Sequence, residues 1–214
     1  MSKPDWTEAM QHLRNADPVL AGLIDKYDLC TLAPDRDLFG SLCESIICQQ
    51  ISTKAGESIA RRFRALFPDA RPTPEELALL DETNLRSAGL SPQKMGYLKD
   101  LARKCLDGTI NLPLLDRLPE DEITRELLAV KGVGPWTVTM FLIFALNRTD
   151  VLPVGDLGLR RAVQLAYGLE NLPDKPRLEE IAKPWHPYET IATWYLWRSL
   201  ENKKEPDRGR TKEP

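Results

Sequence analysis

The chain has 214 residues, 42% of them hydrophobic and 29% charged, an ordinary globular composition for one large domain or two small ones. Its formal net charge of −3 argues against a uniformly basic nucleic-acid binder, so an anionic partner must be met by local charge. The longest apolar run, about Met140–Leu146, is far short of the roughly 20 residues of a membrane-spanning helix, and Met1–Asp17, with Asp5 and Glu8, is too polar for a signal peptide.

Helical signals follow one another along the chain. Over Leu38–Gln50, Phe39, Cys43, Ile46 and Ile47 recur at the spacing of one helical face, and Gln50 continues that stripe as a polar residue. Ser52 or Thr53 is then expected to cap a helix whose inner face is Ala55, Ile59, Phe63 and Leu66. Thr73-Pro74-Glu75-Glu76 reads as a capping box with proline at the first helical position. Ser91-Pro92 opens another helix, with Met95, Leu98, Ala102 and Cys105 inward and Gly108 ending it. Pro119 opens the helix leading to the apolar residues Leu127, Leu128 and Val130, and to Gly132-Val133-Gly134-Pro135. The next helix starts at about residue 135, and after the loop Leu152-Pro153-Val154-Gly155 comes Asp156 at the head of another. No alternating strand pattern and no internal repeat is visible, so the fold class is all-α. Residues 201–214 have no apolar anchors and are expected to be disordered.

Charge is distributed unevenly. Acidic residues gather at Asp69–Glu82 and Glu120–Glu126; basic ones gather at Lys54–Arg64, Lys131, Arg148, Arg160 and Arg161, bracketing the glycine hairpin and Asp156. A solvated mixed-charge surface would give the same pattern. The four cysteines, Cys30, Cys43, Cys48 and Cys105, have no C-x-x-C spacing and read as reduced core thiols of an intracellular protein. His12 and His186 are far apart and lack metal-ligand spacing, which suits surface or packing roles.

Several residues have chemical readings beside bland ones. Gly132 and Gly134 allow positive φ and a close approach of main chain to a ligand. Amides of Gly132, Val133 and Gly134 and of the first turn after Pro135 suit a phosphate, which also gains from the helix dipole. A simple chain reversal would use the same glycines. Asp156, after a glycine, is a natural N-cap, and a carboxylate there could equally stabilise a developing cation or orient water. Gln50 could be a helix-terminal glutamine bonded to a loop. Trp136, Met140 and Trp194 could be core residues, and Trp185, Tyr188 and Trp197 are expected to be.

The stretch Leu-x-x-Val-Lys-Gly-Val-Gly-Pro-Trp-Thr ending at Thr137, followed by Leu152-Pro153-Val154-Gly155-Asp156, resembles the helix-hairpin-helix DNA glycosylase superfamily that includes endonuclease III. ESIICQQISTKAGESIARR (44–62), GLSPQKMGYLKDLAR (89–103) and KPWHPYETIATWYLWRS (183–199) resemble its alkylation-repair branch, the 3-methyladenine DNA glycosylase II family. The resemblance implies two helical lobes, one over residues 38–148 and one from 1–37 plus 149–200, with the active site in the cleft between them. It also implies a compact form, without the N-terminal β domain of larger relatives. By the same resemblance, Asp156 is catalytic, and Trp136, Met140 and Trp194 line the base pocket. Gln50 is the wedge, and Lys131, Gly132, Val133, Gly134 and Thr137 hold double-stranded DNA. Main-chain carbonyls of Leu128, Val130 and Val133 match positions that hold a structural monovalent cation, Na⁺ or K⁺. No cofactor is otherwise required. Some members carry a four-cysteine iron–sulfur cluster after the catalytic region; no cysteine follows Cys105, so none is expected. The implied activity is monofunctional excision of alkylated purines by a monomer, working in the cytoplasm or nucleoid if the source is bacterial and in the nucleus if it is eukaryotic. A glycosylase/lyase would need a lysine where Trp136 stands, and a non-catalytic DNA-binding module would need neither Asp156 nor the tryptophans.

Overall fold

A computed structural model describes residues 4–27 and 29–201, which are helical with loops and contain no strand. Two helices lead in, α1 (Thr7–Ala16) and α2 (Pro18–Lys26). Seven follow: α3 (Leu38–Cys48), α4 (Thr53–Arg64), α5 (Pro74–Leu79), α6 (Glu82–Ser87), α7 (Pro92–Leu106), α8 (Glu120–Leu128) and α9 (Pro135–Phe144). Three close the described chain, α10 (Leu157–Ala166), α11 (Lys175–Ala182) and α12 (Glu189–Glu201). The expected disordered tail falls, from residue 202 on, outside the described residues. The chain divides into two units: Pro34–Leu146, and the segments before and after it, up to Ala33 and from Asn147.

The discontinuous unit packs α1 on α2, and α12 on both α2 and α10. Its core includes Leu13, Leu20, Ile24, Leu159, Val163, Leu178, Trp185 and Leu196, each worth roughly 1.5–3 kcal/mol when buried. Asp17 is buried among them, and its charge is compensated by four donors. The amides of Val19 and Leu20 make it the N-cap of α2, while the Tyr167 hydroxyl and the Trp185 indole (3.0 Å) donate to its other oxygen.

The Pro34–Leu146 unit buries Leu42, Cys43, Ile46 and Ile47 of α3 with Phe63, Leu77, Leu98, Leu101, Leu127 and Phe141. Its helices begin as capping rules require. Thr73, Asp81 and Ser91 accept the amides of Glu76, Asn84 and Lys94, and the Thr73 hydroxyl also donates to the Glu76 carboxylate (3.1 Å). Gly108 takes φ +79° two residues after α7.

Three expectations need correction. Helix α3 ends at Cys48, not Gln50: Gln49 is extended (φ −58°, ψ 136°) and Gln50 is left-handed (φ 57°). The inner face of α4, capped by Ser52, runs through Gly56, Ala60 and Phe63, while Ala55 is exposed. The cap is as expected, and Gly56 is buried because it packs on Cys48. Cys48 itself is exposed rather than core. Burial raises all four thiols above their usual range, Cys30 to about 11 and Cys105 to about 12.

Candidate functional site

The glycine hairpin closes the gap between α8 and α9. The Val130 amide donates to the Leu127 carbonyl and the Val133 amide to that of Val130, both at 3.1 Å. Val130 and Val133 are buried and hold the turn, which leaves Lys131 and Gly132 exposed at its tip. Gly132 has φ +81°, and a Cβ there would lie 2.1 Å from Cδ2 of Tyr97, so both its conformation and its neighbour require glycine. Gly134 is different. It caps α9 with φ −111°, and a Cβ there would meet nothing within 4 Å. Among the described residues, no contact requires a glycine at that position. The Val133 amide, expected to face a phosphate, is already bonded to Val130, so Gly132 and Gly134 are the better amides for an anion. Leu128 ends α8 with its side chain partly exposed.

Pro135 opens α9, and Trp136 beside it is 52% exposed, an uncommon state for a large aromatic. Met140, one turn further, is half-buried. Thr137 is buried instead, its hydroxyl accepting the side-chain amide of Gln49 at 3.2 Å. Its side chain is therefore internal, and any contact with DNA would fall to its main chain.

Helix α7 supports this region with one face. Lys94, Tyr97 and Asp100 are three residues apart and so point the same way. The Lys94 ammonium donates to the carbonyls of Ile47 and Gln49 (2.9 Å to the latter), satisfying the orphan end of α3. Tyr97 packs on Gly132, and Gln93 donates to its hydroxyl at 2.6 Å. The Asp100 carboxylate accepts the Lys131 amide at 2.9 Å and the Arg103 guanidinium at 3.0 Å. Burial pushes the Asp100 carboxyl up, but the Lys131 amide, Arg103 and Lys104 outweigh it and hold the group below the usual carboxylate range. The side-chain amide of Gln49 also donates to the Gly132 carbonyl at 2.9 Å. Gln50, next in sequence, is exposed.

Asp156 belongs to the other unit. It is the N-cap of α10, with Oδ1 accepting the Leu159 amide at 2.7 Å. The same oxygen accepts the indole N–H of Trp197 on α12 at 3.0 Å. Trp197 packs partly buried against the core of this unit, as expected, and is in addition a partner of the candidate catalytic group. Gly158 leaves room for the pair, since a Cβ there would sit 3.0 Å from Oδ1 and 3.4 Å from the indole nitrogen. Trp194 lies one turn before Trp197 on α12, partly buried, with Tyr195 edge-on at 4.9 Å. Trp185 and Tyr188 are packing residues as expected, Tyr188 meeting His12 edge-on at 5.3 Å.

Part of the basic cluster is structural. Arg64 is paired with Asp37 (2.7 Å) and Glu44, Arg62 donates to the Ala88 carbonyl at 2.9 Å, and Arg160 to that of Pro173 at 2.7 Å. Lys54, Arg61, Lys131 and Arg161 remain exposed. His12 bonds the Pro184 carbonyl and His186 the Glu189 carboxylate. Gln49, Lys94, Tyr97, Asp100, Trp197 and Gly158 were not foreseen as site residues. Only the Trp194/Trp197 spacing, one helical turn, was a local signal for any of them.

A family profile described as "HhH-GPD superfamily base excision DNA repair protein" matches residues 43–187. The chain is 32% identical over 198 residues to DNA-3-methyladenine glycosylase 1 of Schizosaccharomyces pombe, covering 90% of this chain and 87% of that one. The solved structure of a 3-methyladenine DNA glycosylase from the same yeast, in complex with abasic DNA, superposes with a TM-score of 0.82 at 31% identity, over 91% of this chain and 97% of that one. A DNA-3-methyladenine glycosidase from Bacillus halodurans also gives 0.82, at 33% identity, over 93% and 92%.

Proposed function

The chain belongs to the HhH-GPD superfamily of base excision DNA repair proteins, and from that premise we propose that it is a monofunctional DNA glycosylase excising alkylated purines from double-stranded DNA. The observation that supports a catalytic site most directly is Asp156, a carboxylate whose orientation is fixed by the Leu159 amide and the Trp197 indole.

The chemistry follows from what the residues can do. A base stacked in a duplex is out of reach and must be flipped out. The exposed tip of the hairpin grips the phosphate backbone through the Gly132 and Gly134 amides and the α9 N-terminus, and Gln50 fills the gap that the base leaves. The flipped purine meets the exposed face of Trp136, with Met140 one turn further along α9. Alkylation at a ring nitrogen makes the base cationic, which favours an aromatic face by roughly 0.5–2 kcal/mol. The glycosidic C–N bond then breaks, and its electron pair leaves with the base, which departs neutral. The sugar becomes oxocarbenium-like, and the Asp156 charge stabilises it. Water adds at the anomeric carbon and loses a proton to solvent, giving an abasic site. Trp136 stands where a lyase would need its amine, so no Schiff base forms and the strand stays intact.

The carbonyls of Leu128, Val130 and Val133 are neutral oxygen donors, which suit Na⁺ or K⁺ and not a transition metal. The Val130 oxygen already takes the Val133 amide and keeps a second lone pair. A cation held there would add positive potential beside the bound phosphate. No described helix is long and apolar enough to cross a membrane, and the substrate assigns the protein to the genome, nucleoid or nucleus according to its source.

Incubation with methylated duplex, followed by identification of released bases, tests this reading. Release of 3-methyladenine and 7-methylguanine with unbroken strands is expected. Borohydride-trapped adducts, or release of 8-oxoguanine or uracil with methylpurines left in place, would overturn it.

A further inference from the structure

Helix α3 stops at Cys48, and the two residues beyond it are held from both sides. The main chain is tied to α7, where Lys94 takes the carbonyls of Ile47 and Gln49. The Gln49 side chain is tied to the hairpin, where it donates to the Gly132 carbonyl and the Thr137 hydroxyl. The hairpin is itself fixed to α7 through Tyr97 against Gly132 and Asp100 on the Lys131 amide. The result is a closed ring: α3 terminus, α7, hairpin, and back through Gln49. Both amide hydrogens of Gln49 are used, and a glutamate could offer neither. Gln50 sits just outside the ring, exposed, with φ 57°. A glutamine keeps that left-handed conformation only where its surroundings over-determine it.

Resting on the glycosylase reading above, we propose that Gln49 is a positioning residue that ties the loop presenting Gln50 to the hairpin, so that wedge and phosphate anchor meet the duplex as one rigid piece. Flipping needs both parts at once. The anchor holds the backbone while the wedge replaces the extruded base, and misplacement by about 1 Å is enough to cost such a geometry most of its effect. A loop free to swing would leave binding intact and lower the population of flipped base.

The test compares wild type, Gln49→Met, Gln50→Ala and the double variant. Methionine keeps the length of the side chain and removes its donors. Two readouts are taken: single-turnover release of 3-methyladenine, and fluorescence of 2-aminopurine beside an abasic-site analogue, which reports unstacking. Gln49→Met is expected to lower both about five- to tenfold, the loss of roughly one hydrogen bond's coupling, with affinity for undamaged duplex unchanged. The double variant is expected to be no worse than Gln50→Ala, because Gln49 acts through Gln50. Lys94→Met, which frees the same loop without touching the hairpin, is expected to repeat the pattern if Gln49→Met does not fold. Wild-type unstacking in Gln49→Met or Lys94→Met overturns the proposal. So does a Gln49→Met effect that persists undiminished in the Gln50→Ala background, or a Gln50→Ala variant that unstacks normally. If wild type releases no alkylated base but Gln49→Met still loses unstacking, the substrate reading fails and the positioning role stands.

Discussion

Asp156 meets two N–H donors on one oxygen, and this makes its role separable by mutation. Asparagine can still cap α10, so Asp156→Asn is expected to melt within a few degrees of wild type. Its single-turnover excision is expected to fall by about 10²–10³, the range for removing one preorganised electrostatic group. A rate near wild type in a well-folded variant would remove Asp156 from catalysis. Trp197→Phe removes the indole donor from the carboxylate, and about a tenfold slower excision with unchanged DNA affinity is expected. The two hairpin glycines give a contrast of another kind. Gly132→Ala forces a Cβ into the Tyr97 ring at positive φ and is expected to cost more than about 2 kcal/mol of stability. Gly134→Ala meets no neighbour and is expected to fold normally, yet to bind damaged and undamaged duplex more weakly. Thermal melts and duplex titrations on the pair check both statements. Normal binding by Gly134→Ala would take that glycine out of the interface.

At the scale of elements, α7 is the support on which the hairpin and the α3 terminus are mounted. Asp100 is its most exacting contact, a buried carboxylate on a main-chain amide of a turn. Because its pKa is depressed in the folded chain, the stabilisation it provides is fully present above the ordinary carboxylate value of about 4 and is lost as pH falls through the lower folded value. Asp100→Asn is therefore expected to be less stable by about 1–3 kcal/mol at neutral pH. The gap should shrink as pH falls through that lowered value, below which the wild-type carboxyl is protonated as well. Urea denaturation of both proteins at several pH values measures it, and a gap independent of pH would show that the charge is not what holds the hairpin.

For the whole molecule, the net charge of −3 means that DNA must be held by a few local charges. Arg62, Arg64 and Arg160 are engaged within the chain, while Lys131 is exposed at the hairpin tip. Binding should weaken with salt, with a log–log slope of about −0.9 for each phosphate neutralised. Lys131→Ala is expected to make that slope shallower by about one. Arg64→Ala is expected to leave the slope alone and lower stability instead, since it strips Asp37 and Glu44 of their partner. Titrations at several salt concentrations distinguish the two, and a full slope in Lys131→Ala would relocate the electrostatic contact.

Local chemistry was legible in the sequence. Capping residues such as Thr73, Ser91 and Asp156, the proline starts at Pro74, Pro92 and Pro135, and the glycine hairpin with Asp156 downstream specify the all-α fold and the family. These signals span at most a few turns, and steric and hydrogen-bonding rules act at that range. What the sequence could not determine are contacts between residues far apart in the chain. Gln49 reaches Gly132 across 83 positions, Trp197 reaches Asp156 across 41, and Asp100 reaches Lys131 across 31. Periodicity extended α3 through Gln50. It reads apolar spacing, and is blind to which polar atom lies opposite once helices pack. Only tertiary packing brought α12 against α10 and stood the α3 terminus on Lys94, turning an ordinary capping aspartate and an ordinary glutamine into parts of a candidate site.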